Sequence, residues 1–176
     1  MKKIHLAILA IFAIFGFIAC DPTPEPITPG EGEDTPTDTV TVNPLSAFIG
    51  DYDLQINVDG YYVDDVASDS QSENFSGTLS ITYPEGIENP NYVKVVGTFN
   101  FGGGEQRTIY STTGTLDADG NLQLEDNTYQ ASVPIKIAYS AIKQQNPLTF
   151  HTTMSCSITG YDVRYELDNT ATRRNR

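Results

Sequence analysis

From Phe48 onward, apolar and polar residues alternate along the chain with a period of two. Phe75, Gly77, Leu79, Ile81 and Tyr83 alternate with Ser76, Thr78, Ser80 and Thr82. Val93, Val95, Gly97, Phe99 and Phe101 form a second apolar line. Ala131, Val133, Ile135, Ile137 and Tyr139 form a third, and Leu148, Phe150, Thr152, Met154, Cys156 and Ile158 a fourth. Tyr161, Val163, Tyr165 and Leu167 form the last, against Asp162, Arg164, Glu166 and Asp168. Side chains on a strand point alternately to its two faces, so the pattern predicts half-buried antiparallel strands. No long helical period occurs, and Ser140 to Asn146 offers one short helical turn before Pro147.

Turn residues separate these lines. Asp59-Gly60 and Asp119-Gly120-Asn121 carry hairpin chemistry, because Gly and Asn accept positive φ. Pro84 to Pro90 reads as a longer loop and Gly102-Gly103-Gly104 as a mobile tip. About eight strands with mostly short connections predict an all-β fold, an antiparallel up-and-down barrel, with a two-sheet sandwich as the alternative. Strands of this length also suit a transmembrane barrel, and periodicity alone does not say which face is outward.

The segment before the strands decides for a soluble barrel with an apolar interior. Met1-Lys2-Lys3 is a short basic start, and Ile4 to Ala19 carries no charge apart from a largely neutral His5. This is the layout of a secretory signal. At about 16 residues the apolar run is shorter than the roughly 20 a spanning helix needs. Its end, Phe17-Ile18-Ala19-Cys20, resembles the lipobox of bacterial lipoproteins, with Phe17 in place of the usual Leu. The resemblance implies cleavage after residue 19 and lipidation of Cys20. Two or more acyl chains hold a protein stably on a membrane where one does not. A lipid anchor followed by a tether would serve no purpose on a protein already embedded.

Residues 20–45 read as that tether. Positions 21–44 hold six of the ten prolines, six acidic residues and no basic ones. Fixed φ and like-charge repulsion predict an extended, unpacked stretch, reaching about 70 Å at most in polyproline II form. Its acidic residues resemble the export signals that send some gut-anaerobe lipoproteins to the cell surface. The expected location is therefore the outer membrane, surface-exposed, with a periplasm-facing anchor as the alternative. Asp38-Thr39-Val40 resembles a short O-glycosylation motif of such bacteria, although chance explains three residues better.

Charge narrows the partners. Removing the signal takes Lys2 and Lys3 from 10 basic residues and leaves 8 against 23 acidic ones, a net charge near −15. That balance argues against nucleic acid and anionic lipid headgroups as partners. With Cys20 lipidated, Cys156 has no disulfide partner, so stability rests on the core of domain 46–172. Residues 173–176 read as a frayed basic tail.

Two short motifs carry a family resemblance. Phe48-Ile49-Gly50-Asp51-Tyr52 looks like the Gly-x-Trp start of lipocalins, with Tyr52 where the Trp would be. Gly114-Thr115-Leu116-Asp117-Ala118-Asp119-Gly120-Asn121-Leu122 resembles the late-middle hairpin of lipocalin-like (calycin-like) lipoproteins of Bacteroides-type gut anaerobes. The resemblance spans residues 46–172. It implies an eight-stranded up-and-down barrel, sometimes with a ligand cup.

Catalytic chemistry finds little support, and the reading is of a non-enzyme without cofactor or metal. Asp117 to Asn121 has Gly at the fourth position rather than the sixth of a calcium loop, so a plain hairpin turn is expected. His151 falls on the face opposite Phe150 and Met154, hence outward, with no nucleophile elbow to serve. Cys156 falls on the apolar face as a small core residue, and one His with one Cys does not make a zinc site. Asp64-Asp65 has little specificity as a glycosidase pair among 23 acids. Binding is the stronger class. Ten tyrosines with no tryptophan supply apolar rings with polar tips, and Tyr61, Tyr62, Tyr92, Tyr110 and Tyr129 lie near predicted strand ends or loops. They are the candidate ligand-binding residues, for a small apolar molecule or a segment of a surface-complex protein. The alternative is a structural or accessory subunit of such a complex without a cavity.

Overall fold

The computed structural model describes residues 42–68, 74–100 and 105–175. Asn43–Arg176 forms one compact unit. The signal segment, Cys20, Thr39, Phe101 and the Gly102-Gly103-Gly104 tip lie outside the described residues. The alternating lines become antiparallel strands: β1 (Gly50–Val63), β2 (Val66–Ala67), β3 (Asn74–Thr82), β4 (Val93–Asn100) and β5 (Gln106–Leu116). After these come β6 (Leu122–Leu124), β7 (Asn127–Tyr129), β8 (Ile135–Tyr139), β9 (Leu148–Ile158) and β10 (Tyr161–Arg173). Their hydrogen-bonded order is β6-β5-β4-β3-β1-β10-β9-β8-β7, with β2 added at the end of β1.

The two ends of that path, β6 and β7, are consecutive pieces of the stretch 122–129. Its first piece pairs back onto β5, Leu124 opposite Gly114, and its second pairs forward onto β8, Asn127 opposite Ile137. Leu122 and Ile142 exchange backbone hydrogen bonds of 2.9 and 2.8 Å, and the Asn127 amide donates to the Ser111 carbonyl at 3.2 Å. The sheet thus curls into a barrel-like form with its seam along 122–129. Taken as one strand, that stretch completes eight in up-and-down order, as the alternation predicted.

Most inward positions towards the Phe48 end are apolar and buried. Tyr52, Leu54 and Ile56 of β1 meet Leu79 and Ile81 of β3 and Val93 and Val95 of β4. Two bulges adjust the pattern. Val58 faces Leu167, but the next pair is Gly60 with Glu166, so Asp59 has no partner and the inward parity passes to Tyr61. Asp59-Gly60 is therefore a bulge inside one long strand, not the expected hairpin turn. The turn follows at Asp64 and Asp65, whose φ of 50° and 60° give the double left-handed geometry of a tight hairpin. A second bulge at Ile109 lets both Ile109 and Tyr110 be buried. Gly77 is dictated by close approach: a Cβ there would lie 2.1 Å from the Thr98 carbonyl oxygen.

One end of the barrel is plugged. Pro44–Ala47 forms a single 3-10 turn, capped by the Asn43 side chain, which accepts from the Leu45 N–H at 3.0 Å. Leu45 and Phe48 are buried, and burying a ring such as Phe48 contributes about 1.5–3 kcal/mol. The Tyr52 hydroxyl donates to the Phe48 carbonyl at 2.6 Å. Arg173 donates to the carbonyls of Ala47 and Ile49 at 2.8 and 2.9 Å and to the Tyr52 hydroxyl at 3.0 Å. Asn43, Pro44 and Leu45 thus belong to the fold rather than to the tether. Arg173 is a strand residue and Arg174 pairs with Asp53, so neither is a frayed tail. Residues 140–146 make no helical turn, because Ile142 is drawn into the bridge with Leu122. Ala131 and Val133 stand before β8, where Pro134 offers no N–H to extend the ladder.

Candidate functional site

Cover is uneven along the barrel. On β9 the inward residues Leu148, Phe150 and Thr152 are buried, whereas Met154, Cys156 and Ile158 are only half-buried. On β3, Leu79 and Gly77 are buried and Phe75 is half-buried. Cover is thus thinner at the end opposite the Phe48 plug, where Tyr61, Ile135 and Val163 nevertheless stay buried.

Below that end, the barrel is filled. Tyr110 is fully buried, its ring edge-on to Phe99, Tyr139 and Phe150 at 5.0, 5.3 and 6.2 Å between centroids. Its cross-strand partner is Gly97, where a Cβ would meet the ring at 2.6 Å. The Tyr110 hydroxyl donates to Asn169 Oδ1 at 3.1 Å, and Asn169 Nδ2 donates to Thr152 Oγ1 at 2.9 Å. Asn169 and Thr152 are buried polar residues, and each satisfies the other. Burial holds the Tyr110 phenol well above its usual pKa, against its hydrogen bonding with Thr152 and Asn169, which lowers it.

The mouth is walled by Tyr61 and Tyr165, whose rings pack 4.8 Å apart, together with Phe75, Met154 and Cys156. Cross-strand partners share a face, so the pairing of Tyr129 with Ile135 places Tyr129 on the inner face at the same end. Burial pushes the Cys156 thiol up, away from reactive thiolate. Burial, and then the nearby thiol, raise Tyr61. The wall is thus apolar with neutral polar tips.

Of the five tyrosines selected from the sequence, Tyr61 and Tyr129 share this mouth. Tyr62 lies on the outer face, with the Arg164 guanidinium 4.2 Å above its ring. Tyr92 sits at the plugged end, beside the start of β4, and Tyr110 is core rather than rim. The five do not form one cup. Tyr165, Phe75, Met154 and Cys156 complete it instead, and all four fell on the predicted apolar lines.

His151 is on the outer face, as alternation predicted. Its Nδ1 lies 3.0 Å from Asp168 Oδ1 and its Nε2 2.9 Å from Glu166 Oε2. Asp117 is a turn residue: its Oδ1 accepts the N–H groups of Asp119 and Asn121, both at 2.9 Å, and Gly120 has φ 79°. The Asn121 side chain, above all, holds the Asp117 carboxyl below its usual pKa. Among the described residues, no group of three or more His, Cys, Asp and Glu stands where it could hold a metal ion. No described helix is long and apolar enough to cross a membrane. No protein-family model, curated protein or solved structure matches the chain.

Proposed function

We propose that the chain is a lipid-anchored binding protein whose barrel takes a small apolar molecule into the end opposite its plug. The observation that carries this reading is the loss of cover from Thr152 to Met154 and Cys156 on one inner wall, opposite a plugged end. Ligand sites are typically concave and mostly apolar, with a few polar groups. Tyr61 and Tyr165 supply rings with hydroxyl tips for an apolar body with a weakly polar group. The lipobox-like end at Cys20 and the acidic, proline-rich residues after it support an outer-membrane anchor with the barrel held out at the cell surface.

A neutral polarity-sensitive naphthylamine dye tests the cup. Wild-type protein binds it, and Met154→Trp, which fills the mouth, weakens binding roughly tenfold without lowering the melting temperature. Equal binding by both proteins would sink the reading. For the anchor, a Cys20→Ser chain loses detergent-phase partitioning, and a variant that still partitions with membranes refutes lipidation there. The filled middle of the barrel favours a second reading, an accessory subunit of a surface complex. Absence of dye binding, with no apolar compound released from native protein in mass spectrometry, selects it.

A further inference from the structure

β8 and β9 run side by side for only part of their length. Their pairing ends where Lys136 faces Ser155, while β9 continues to Ile158. Before β8 stand Val133 and Pro134, and Pro134 has no N–H to carry the ladder on. The wall is therefore notched beyond Ser155, and a hollow of about 490 Å³ lies there. Val133, Pro134, Cys156 and Val163 give this hollow an apolar side. A second hollow, of about 360 Å³, crosses β7, β8 and β9 and shares Lys136 and Ser155 with the first. Each has the size of a small-molecule site, for which about 300–1,000 Å³ is typical.

The rim of the larger hollow is polar, and strand register orders it. Lys136 pairs with Ser155, Ser155 with Arg164 and Arg164 with Tyr62, so these side chains form one row on the outer face. In the next row Ser157 pairs with Asp162, and its hydroxyl donates to the Asp162 carboxylate. Asp65 reaches over from the turn between β1 and β2 and lies 3.5 Å from Arg164. Glu166 and the Tyr62 ring, 4.2 Å from the guanidinium, fix Arg164 from the other sides. Lys136 is exposed and enters none of the ion pairs among the described residues. The rim thus carries two cations, two carboxylates and two hydroxyls.

That balance, together with the apolar side, selects a ligand class. An anion would meet Asp65 and Asp162, and a cation would meet Lys136 and Arg164. A wholly apolar molecule would strip water from all four and return no hydrogen bond. A pyranose suits every part: its C–H face covers the valine and proline side, and its hydroxyls both donate and accept. Carboxylates only accept, ammonium and guanidinium only donate, and serine does both, so each rim group finds a partner on such a ring. Neighbouring strands lie about 4.8 Å apart, so the two hollows together cross roughly 14 Å from β7 to β10, more than one sugar ring. We propose that this outer groove binds a neutral oligosaccharide. The groove stands apart from the cup, since Lys136, Ser155 and Arg164 occupy the face of the sheet opposite Met154 and Tyr165.

The probes are maltose, cellobiose and lactose, each titrated against the full mature chain by isothermal calorimetry. Digalacturonate and the glucosamine disaccharide serve as charged comparators. At least one neutral disaccharide binds, roughly tenfold more tightly than either charged one. Lys136→Met, an exposed change of similar volume, weakens binding roughly tenfold. Ser155→Trp, which raises a ring between the two hollows, abolishes it at unchanged melting temperature. Met154→Trp, on the opposite face, leaves it intact. Absence of binding by all three neutral disaccharides, tighter binding of a charged one, or full binding by Lys136→Met overturns the proposal. Sugar binding that Met154→Trp abolishes and Ser155→Trp spares overturns it in favour of the cup.

Discussion

Tyr110→Phe removes one oxygen atom from the middle of the barrel and leaves the ring in place. The lost hydroxyl donates to Asn169 Oδ1 at 3.1 Å in a fully buried site. Asn169 cannot turn to find another donor cheaply, because its Nδ2 is directed at Thr152 Oγ1, the Leu167 carbonyl and the Phe150 carbonyl at 2.9, 3.2 and 3.3 Å. An acceptor left unpaired and dry costs about 1–3 kcal/mol. For a unit of this size that corresponds to a fall of roughly 3–10 °C in Tm. Two comparisons calibrate the figure. Tyr110→Ala also empties the space among Phe99, Tyr139 and Phe150 and costs about 3–5 kcal/mol. Tyr139→Phe breaks a bond to Asn127 Oδ1 of 2.9 Å in a partly buried site, where water replaces it, and costs about 0.5–1.5 kcal/mol. The assay is urea unfolding of the mature chain followed by circular dichroism. A Tyr110→Phe midpoint equal to wild type, at unchanged slope, would refute the reasoning. It would mean that the hydroxyl finds no bond worth keeping in the core.

Three further predictions follow the same logic. Burial lowers the pKa of His151, and the hydrogen bonds to Asp168 and Glu166 more than offset this, so it stands raised. A raised folded-state value means that protonation favours the fold: the contribution is full below about pH 6.5 and is lost as pH rises through the raised value. Wild-type stability therefore falls in that window relative to His151→Gln, and parallel pH profiles for the two would disprove the link. Gly77→Ala puts a methyl 2.1 Å from the Thr98 carbonyl and destabilises by more than about 2 kcal/mol, read from the unfolding midpoint. Arg173→Met frees the carbonyls of Ala47 and Ile49, and it speeds hydrogen exchange around Leu45 to Tyr52 more than at the mouth. Uniform exchange along the barrel would show that Arg173 does not hold the plug.

The strands were legible because each buries one face, and a one-residue error would expose every apolar side chain on it. Leu79, Ile81, Val93 and Val95 alternate without interruption, and all are buried. What escaped the pattern were the irregular points, where one local signal has two structural meanings. Asp59-Gly60 has the composition of a turn, yet its neighbours Val58 and Tyr61 both pair with β10, so the chain bulges and runs on. Asp64-Asp65 lacks glycine and still turns, because Asp tolerates left-handed φ. Arg173 looked like tail because its partners are the carbonyls of Ala47 and Ile49, over 120 residues away, which no local pattern reports.

The site was harder to read for the same reason. Tyrosine content pointed to binding, but a tyrosine's role depends on its height along the barrel axis, and height is fixed by register. Tyr110 and Tyr165 both sit on inward lines. Tyr110 meets Gly97 at the filled middle, while Tyr165 meets Tyr61 and Met154 at the mouth. The bulge at Asp59 makes the second meeting possible: were Asp59 and Gly60 each paired in regular register, Tyr61 would point outward and Tyr62 inward. Deleting Asp59 and Gly60 together should therefore exchange the two, because Tyr61 then falls opposite Glu166 and Tyr62 opposite Tyr165. Arg164 would lose its contact with Tyr62, the mouth would lose the Tyr61–Tyr165 pair, and dye binding would fall with the barrel still folded. A deletion that leaves dye binding untouched would show that Tyr61 does not line the cup, and the mouth would then have to be redrawn around Phe75 and Met154 alone.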